Sequence, residues 1–423
     1  MTLPELLENM AAEVGWSWNP HAHLRCIDCG NEQPLGPAFN GCERCSDGED
    51  HAPLEVVYED SDLPQGSGLR SVLWWLSVDR QPIAPTKRVS LGRTPTPLVP
   101  VTSLGPTVLV KNETLNPTWA HKDRLHEVNV GVAKLLESVG VVASTTGNHG
   151  AAAAAHAAAA DLPAVIFCHP EASSMTLRMI SAYGGVVVQL SPEDQRTAVA
   201  SMVDEGWFPA TSMDPIISGR SNPYGSEGYK LIAYEIVAAL GRLPEAVIVP
   251  TASGDTVYGI AKGFAEVAAA TGSAPTRIVA AQPEAANPLQ RSMRDHRIAR
   301  VPDARSFALS VSEEVTGRQA MVALQRWNGD VVSVSEVSIR DSVHKFARAG
   351  LLVEPASAVS YAGYERALDD GLIGVGDTIV LLATSSGVKW PRELEEIFPV
   401  APVTDSHTLK ITLEKRLHAD RGR

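Results

Sequence analysis

Two Cys-x-x-Cys pairs, Cys26-Ile-Asp-Cys29 and Cys42-Glu-Arg-Cys45, stand twelve residues apart near the start of the chain. Two such knuckles bring four thiolates to the corners of a tetrahedron, the geometry Zn²⁺ takes in closed structural sites. With sulfur at all four corners no position is left for water, so the metal would stabilise the module rather than do chemistry. The competing reading is a redox pair or four ordinary cysteines. The fifth cysteine, Cys168, lies alone in an apolar stretch, an asymmetry that speaks for metal rather than disulfides.

Four further segments carry reactive or ligand-binding side chains at places where an expected strand gives way to a helix. The first is Asn116-Pro-Thr-Trp-Ala-His121-Lys122-Asp-Arg124. A lysine there forms an imine with an aldehyde cofactor if burial lowers its pKa enough to free the amine; alone, it reads equally as a solvated lysine at a helix start. The second, Ser144-Thr145-Thr146-Gly147-Asn148-His149-Gly150, joins hydroxyls, a glycine and free helix N-terminal amides. That makes a concave site for the carboxylate of an amino acid, or a plain capped helix. The third, Thr251-Ala-Ser253-Gly254-Asp255-Thr256, opens a helix whose dipole favours a phosphate, although it is neither a Walker loop nor GxGxxG. The fourth, Thr384-Ser-Ser-Gly387-Val-Lys389, offers a hydroxyl to a ring nitrogen. The four gain force together, because ligands in open parallel sheets gather at the carboxyl ends of the strands.

The elements that must position these segments alternate along the chain. From Val108 onward the strands VVAST, AVIFC, VVVQL, AVIVP, RIVAAQ and TIVLLAT are interleaved with helical stretches: GAAAAAHAAAA, SMTLRMISAY, EGYKLIAYEIVAAL, VYGIAKGFAEVAAA, VHKFARAG and SAVSYAGYERALDD. Alternation of this kind predicts parallel strands with crossover helices. The alanine run Ala151–Ala160 reads as a tightly packed helix, since alanine is the best helix former. Residues 1 to 65, polar and rich in Pro, Gly and Asp, read as a small appended module with a short helix near its start. The stretch to about residue 105, with an apolar patch at Val72–Leu76 and then LGRTPTPLVP, reads as an extended lead-in. A tail follows from about residue 401.

The chain of 423 residues has room for two or three domains, and its 44% hydrophobic and 20% charged residues belong to a globular protein. A net charge of −13 without a basic run argues against nucleic acid as a partner. No apolar segment reaches the roughly 20 residues of a membrane helix, and the acidic start MTLPELLENM lacks a signal pattern. A cytoplasmic location is expected.

The segments together resemble the fold-type II pyridoxal-phosphate enzymes, and within them the threonine synthases. The resemblance covers roughly residues 90 to 390 and rests on LGRTPTPL, ETLNPTWAHKDR for the family's ENPTGSFKDR-like motif, STTGNHG, NPYGSEGYKLIAYEI, EPASAVSYAG and TSSGVK. It implies an α/β fold of two doubly wound parallel-sheet domains behind a four-cysteine zinc ribbon. The expected units are the ribbon at 1–65, a large cofactor domain at 66–126 and 226–400, a small mobile domain at 127–225 and a tail at 401–423.

The resemblance also implies roles. Lys122 would hold pyridoxal 5′-phosphate as a Schiff base and move protons once released. Asn148 would bond the ring hydroxyl, while Ser253, Gly254, Asp255 and Thr256 would hold the cofactor phosphate and Thr384 would face the pyridine nitrogen. Thr145, Thr146 and Gly147 would take the substrate carboxylate. The activity implied is γ elimination from O-phosphohomoserine or a related amino acid, followed by β addition of water or another nucleophile, in a homodimer. Rivals are a dehydratase-like or cysteine-synthase-like enzyme, or a non-catalytic binding protein on the same fold. The chain departs from the family pattern at Trp119, usually Gly; at Ala120-His121, usually a small residue then Phe; at His149; and at ASGDT, where GNxGN is more common. His121 and His149 read either as drift at positions that only pack or, in the sharper reading, as contacts to an altered substrate side chain.

Overall fold

The computed structural model describes residues 17–45, 52–59 and 68–400. The short helix expected near the start and the tail from 401 lie outside them. The two knuckles lie on the connections that follow β1 and β2 of a three-stranded antiparallel sheet, β1 (Ala22–Cys26), β2 (Glu32–Pro34) and β3 (Leu54–Tyr58), in the order β2-β1-β3. Next comes a helix, Leu69–Asp79, where the sequence reads as extended lead-in. Val72, Leu73, Trp75, Leu76 and Val78 of this helix are buried, and the first four pack in one core with Tyr229, Ile232 and Phe264.

The main body holds two sheets. The larger has six strands: β4 (Leu98–Pro100), β5 (Val108–Asn112), β10 (Ala246–Pro250), β11 (Arg277–Pro283), β12 (Gly329–Val334) and β13 (Ile379–Ala383). Their order is β12-β11-β10-β13-β5-β4, parallel throughout except where β4 meets β5. Strands β10 and β13 are buried at every residue, as expected of inner parallel strands covered by helices on both faces. The smaller sheet is fully parallel, with β6 (Val141–Thr145), β7 (Ala164–Cys168), β8 (Val186–Gln189) and β9 (Phe208–Pro209) in the order β8-β7-β6-β9. The alanine run forms the helix Asn148–Ala159, in which Ala151 to Ala155 and Ala157 are all buried. Among the described residues no helix is long and apolar enough to cross a membrane.

The cysteine module touches both halves of the main body. On one side Tyr58 Oη donates to Glu227 (2.7 Å), Lys262 Nζ to the Val56 carbonyl (2.5 Å), and Tyr258 Oη and Arg326 to Glu55 (2.5 and 2.7 Å). On the other, Tyr224 Oη donates to the Gly36 carbonyl (2.6 Å), Ser221 N to the Phe39 carbonyl (2.7 Å), and the Phe39 ring meets Phe208 of β9 edge-on at 5.3 Å.

Candidate active site

Strands β10, β13 and β5 are neighbours in the large sheet, so the segments after their carboxyl ends lie side by side, where the strand order reverses. These are the segments carrying Thr251–Thr256, Thr384–Lys389 and Lys122. The segment after β6 of the smaller sheet joins them from across the cleft: Asn148 Nδ2 donates to Glu354 Oε2 at 2.8 Å, and Ser385 Oγ to Asn148 Oδ1 at 3.2 Å. All four loops read from the sequence therefore meet.

Lys122 opens the helix Lys122–Leu135. Its Nζ donates to Tyr229 Oη at 3.1 Å. Burial lowers its pKa, and the opposing carboxylates of Asp255 and Glu354 only partly offset that, so the free amine is more accessible than on a surface lysine. Burial pushes Glu354 up and Tyr229 well above 10.

Two residues further along the same helix, Arg124 anchors a cluster of buried charge. Arg124 and Glu113, both with no exposed side-chain surface, form a two-pronged pair at 2.6 and 2.8 Å. Glu235 bonds the same guanidinium at 2.7 and 2.8 Å and takes Lys111 Nζ at 2.6 Å. For Glu113 burial opposes ionisation, but the Arg124 charge holds the carboxyl below its ordinary value.

Loop Thr251–Thr256 leads into the helix Asp255–Thr271. Gly254 has φ +102°, and a Cβ there would come within 2.3 Å of the Ala320 Cβ. The Asp255 carboxylate accepts from Met213 N (2.9 Å), Gln319 Nε2 (3.0 Å) and Ser253 Oγ (3.0 Å). Donors remain for an anion. The amides of a first helical turn have no partner within their helix, and the buried Thr251 hydroxyl has none among the described residues.

Thr145 braces its own loop, its Oγ1 accepting from Gly147 N (2.8 Å) and Gly150 N (3.0 Å). Gly147 has φ +153°, and Thr146 beside it is partly exposed. Thr384 Oγ1 is paired with Ser357 Oγ at 2.7 Å. His149 turns Nε2 onto the Ala210 carbonyl at 2.6 Å, its ring 4.5 Å from that of buried His126, and burial holds it neutral, with a pKa down to about 3. His121 is buried with both ring nitrogens within hydrogen-bond distance of protein atoms, Nδ1 3.1 Å from the Thr384 carbonyl and Nε2 3.1 Å from Thr256 Oγ1. Both histidines are thus tied to the protein through ring nitrogens, whereas the sharper reading of the sequence sets them against a substrate side chain.

Tyr229 and Glu354 are not singled out by the sequence as site residues, although both lie in quoted segments. Each sits beside a helix start over a hundred residues from its partner, and no spacing rule connects them.

At the other end of the chain the four cysteine Sγ atoms lie within 4.8 Å of one another. Cys26–Cys45 and Cys29–Cys42 are each 3.8 Å apart. A hydrogen bond with Cys45 draws the exposed Cys29 thiol down to about 7.

Comparison with known proteins agrees with this geometry. Residues 89–385 match the family described as "Pyridoxal-phosphate dependent enzyme". The threonine synthase of Methanosarcina acetivorans is 28% identical over 413 residues, covering 91% of this chain and 96% of that protein. That of Mycobacterium tuberculosis is 30% identical over 317 residues, covering 73% and 86%. The solved structure of maize serine racemase superposes with a TM-score of 0.60 at 22% identity, over 78% of this chain and 94% of the other, which establishes the shared fold. The family match over residues 89–385, with the partly buried Lys122 and the helix start after β10 meeting Asn148 from the facing sheet, shows that the chain belongs to the pyridoxal-phosphate-dependent enzymes.

Proposed function

We propose that the chain is a threonine-synthase-like lyase, acting by γ elimination on O-phosphohomoserine or a related γ-substituted amino acid and then adding water or another nucleophile at the β carbon. The observation that carries this reading is the Lys122 amine, with its basicity lowered by burial and standing among the four converging loops. Relatives named threonine synthase, matched over 86 to 96% of their own length, add support. The residues fit pyridoxal phosphate: the spare Thr251 hydroxyl and the first-turn amides at 255–257 suit a phosphate, and Asn148 is oriented by Glu354 and Ser385.

When bound, the cofactor supplies an electron sink for negative charge on the substrate carbons. Lys122 takes the α proton and carries protons between neighbouring carbons, which a flexible amine of lowered pKa can do without solvent. Tyr229 Oη, protonated because of its burial, holds the amine in place. Thr145, Thr146 and Gly147 would receive the substrate carboxylate, and Thr384 would face the pyridine nitrogen. The segment 127–225 closes over the substrate as the small domain. Homodimerisation and a cytoplasmic setting belong to the same reading.

Incubation with O-phosphohomoserine tests it, reading inorganic phosphate and threonine in equal amounts. Ammonia and a keto acid released from serine or threonine, with O-phosphohomoserine inert, would replace it with the dehydratase-like alternative. Gly254→Ala should weaken cofactor binding about ten- to hundredfold, because positive φ and the Ala320 contact both oppose a methyl group. A cofactor titration followed by absorbance checks this.

The reading gives the cysteine module one structural Zn²⁺. A tetrahedron with Zn–S bonds of about 2.3 Å has edges of about 3.8 Å, which is the spacing of the two sulfur pairs. Cys26→Ser should lose the bound zinc and lower the melting temperature by several degrees. Retention of one zinc per chain in elemental analysis would contradict the assignment.

A further inference from the structure

The residue before Lys122 is a histidine whose hydrogen bonds dictate where its proton sits. The Thr384 carbonyl can only accept, and it takes both the backbone N–H of His121 (2.8 Å) and ring Nδ1 (3.1 Å). A neutral ring with its hydrogen on Nδ1 has a lone pair on Nε2, so Thr256 Oγ1, 3.1 Å away, must donate to it. Thr256 lies in the first turn of the helix Asp255–Thr271. Its single hydroxyl proton is therefore committed to His121 and not to an anion at the helix start.

A phosphate monoester dianion at that helix start makes a second claim on the same proton. If the Thr256 hydroxyl turns to the phosphate, two lone pairs are left facing each other across 3.1 Å in a buried site, an arrangement that costs as much as an unmade hydrogen bond. One proton from solvent, bound at Nε2, removes the conflict. The ring then donates to Thr384 and Thr256 together, Thr256 donates to the phosphate, and the dianion stabilises the cation.

We propose that His121 is the positioning residue through which this chain takes up one proton when the cofactor phosphate binds, with the ring passing from neutral to imidazolium as Thr256 changes acceptor. Without the phosphate the neutral ring is favoured: burial, then the Lys122 charge, and more weakly Lys389 and Arg124, hold its pKa well below 6.5 against the opposing pull of the Thr384 carbonyl. The Tyr229 ring stacks on it, centroids 5.4 Å apart, and contributes no charge while protonated. The carboxylates that act on the neighbouring Lys122 are Asp255 and Glu354. Asp255 is occupied by Met213, Gln319 and Ser253, which leaves the incoming phosphate as the new negative charge in the balance.

This inference rests on the pyridoxal-phosphate reading, and two measurements separate them. In ¹⁵N-histidine spectra at pH 8, the full chain stripped of cofactor should show His121 as a neutral Nδ1–H ring, and the cofactor-loaded chain should show both ring nitrogens protonated. Calorimetric titration with pyridoxal phosphate in two buffers of different ionisation enthalpy should give an uptake about one proton per cofactor greater than in His121→Phe, the change at Lys122 being common to both. The dissociation constant should rise with pH by up to about tenfold per unit more steeply than in His121→Phe across the linked range. A neutral His121 ring in the loaded chain, or equal uptake in His121→Phe, overturns the inference while leaving the cofactor reading intact. Failure to bind pyridoxal phosphate at all overturns that reading instead. The wild-type spectra decide even if the variant does not fold.

Discussion

Lys122→Ala is expected to leave a folded chain whose turnover of O-phosphohomoserine falls by about 10⁴-fold or more, because general acid–base and covalent roles are removed together. The variant keeps Arg124, Glu113 and Glu235 in place, so its circular dichroism and denaturant midpoint should stay close to those of the parent. Borohydride treatment should fix cofactor onto Lys122 in the parent and fix none in the variant. Turnover within about tenfold of the parent would end the assignment of Lys122. The bond to Tyr229 is short enough to orient the amine, but the tyrosine hydroxyl could not substitute for it as a base, since burial keeps it protonated.

Glu113→Ala is expected to have the largest effect on stability. Arg124 has no exposed surface, and two of its nitrogens bond Glu113. Removing one partner of a buried pair typically costs about 3–5 kcal/mol, because the remaining charge is stranded. Glu235 keeps part of the guanidinium paired, which places the loss toward the lower end. Urea unfolding measures it, and an unchanged midpoint would contradict the account. The pH dependence has a definite sign. Glu113 and Glu235 are ionised in the folded chain with pKa values below the ordinary carboxylate range, burial being outweighed in each by Arg124. Their stabilising contribution is complete above about pH 4.3, the unfolded value, and is lost as pH falls toward the folded values. The gap between parent and variant should therefore narrow on acidification.

The strands that carry the site were legible because inner parallel strands are short, apolar and β-branched, and the segments VVAST, AVIVP and TIVLLAT stand out from the helices around them. The loops after them were legible because glycines, hydroxyls and a lysine gather there. The helix Leu69–Asp79 was not, since LRSVLWWLSVD runs apolar nearly all round and a proline-rich segment follows it. Strand β12 and the helices Pro288–Asp295 and Arg318–Arg326 also escaped the reading; β12 is only half buried, at a sheet edge. Polar partnership was the least legible property. Arg124 meets Glu235 across 111 residues and Asn148 meets Glu354 across 206, and nothing in local composition specifies such a pairing. His121 illustrates the difference: its place before the lysine was visible, but its tie to Thr256 and Thr384 exists only once three loops are brought together.

The cysteine module holds Glu227, Lys262 and Tyr258 with one edge and Tyr224, Ser221 and Phe208 with the other. A clip fastened at both ends transmits its own looseness to whatever it joins. Stripping the proposed zinc with a chelator should therefore speed amide exchange in β9 and in the helix Asp255–Thr271 alike, although neither contains a cysteine.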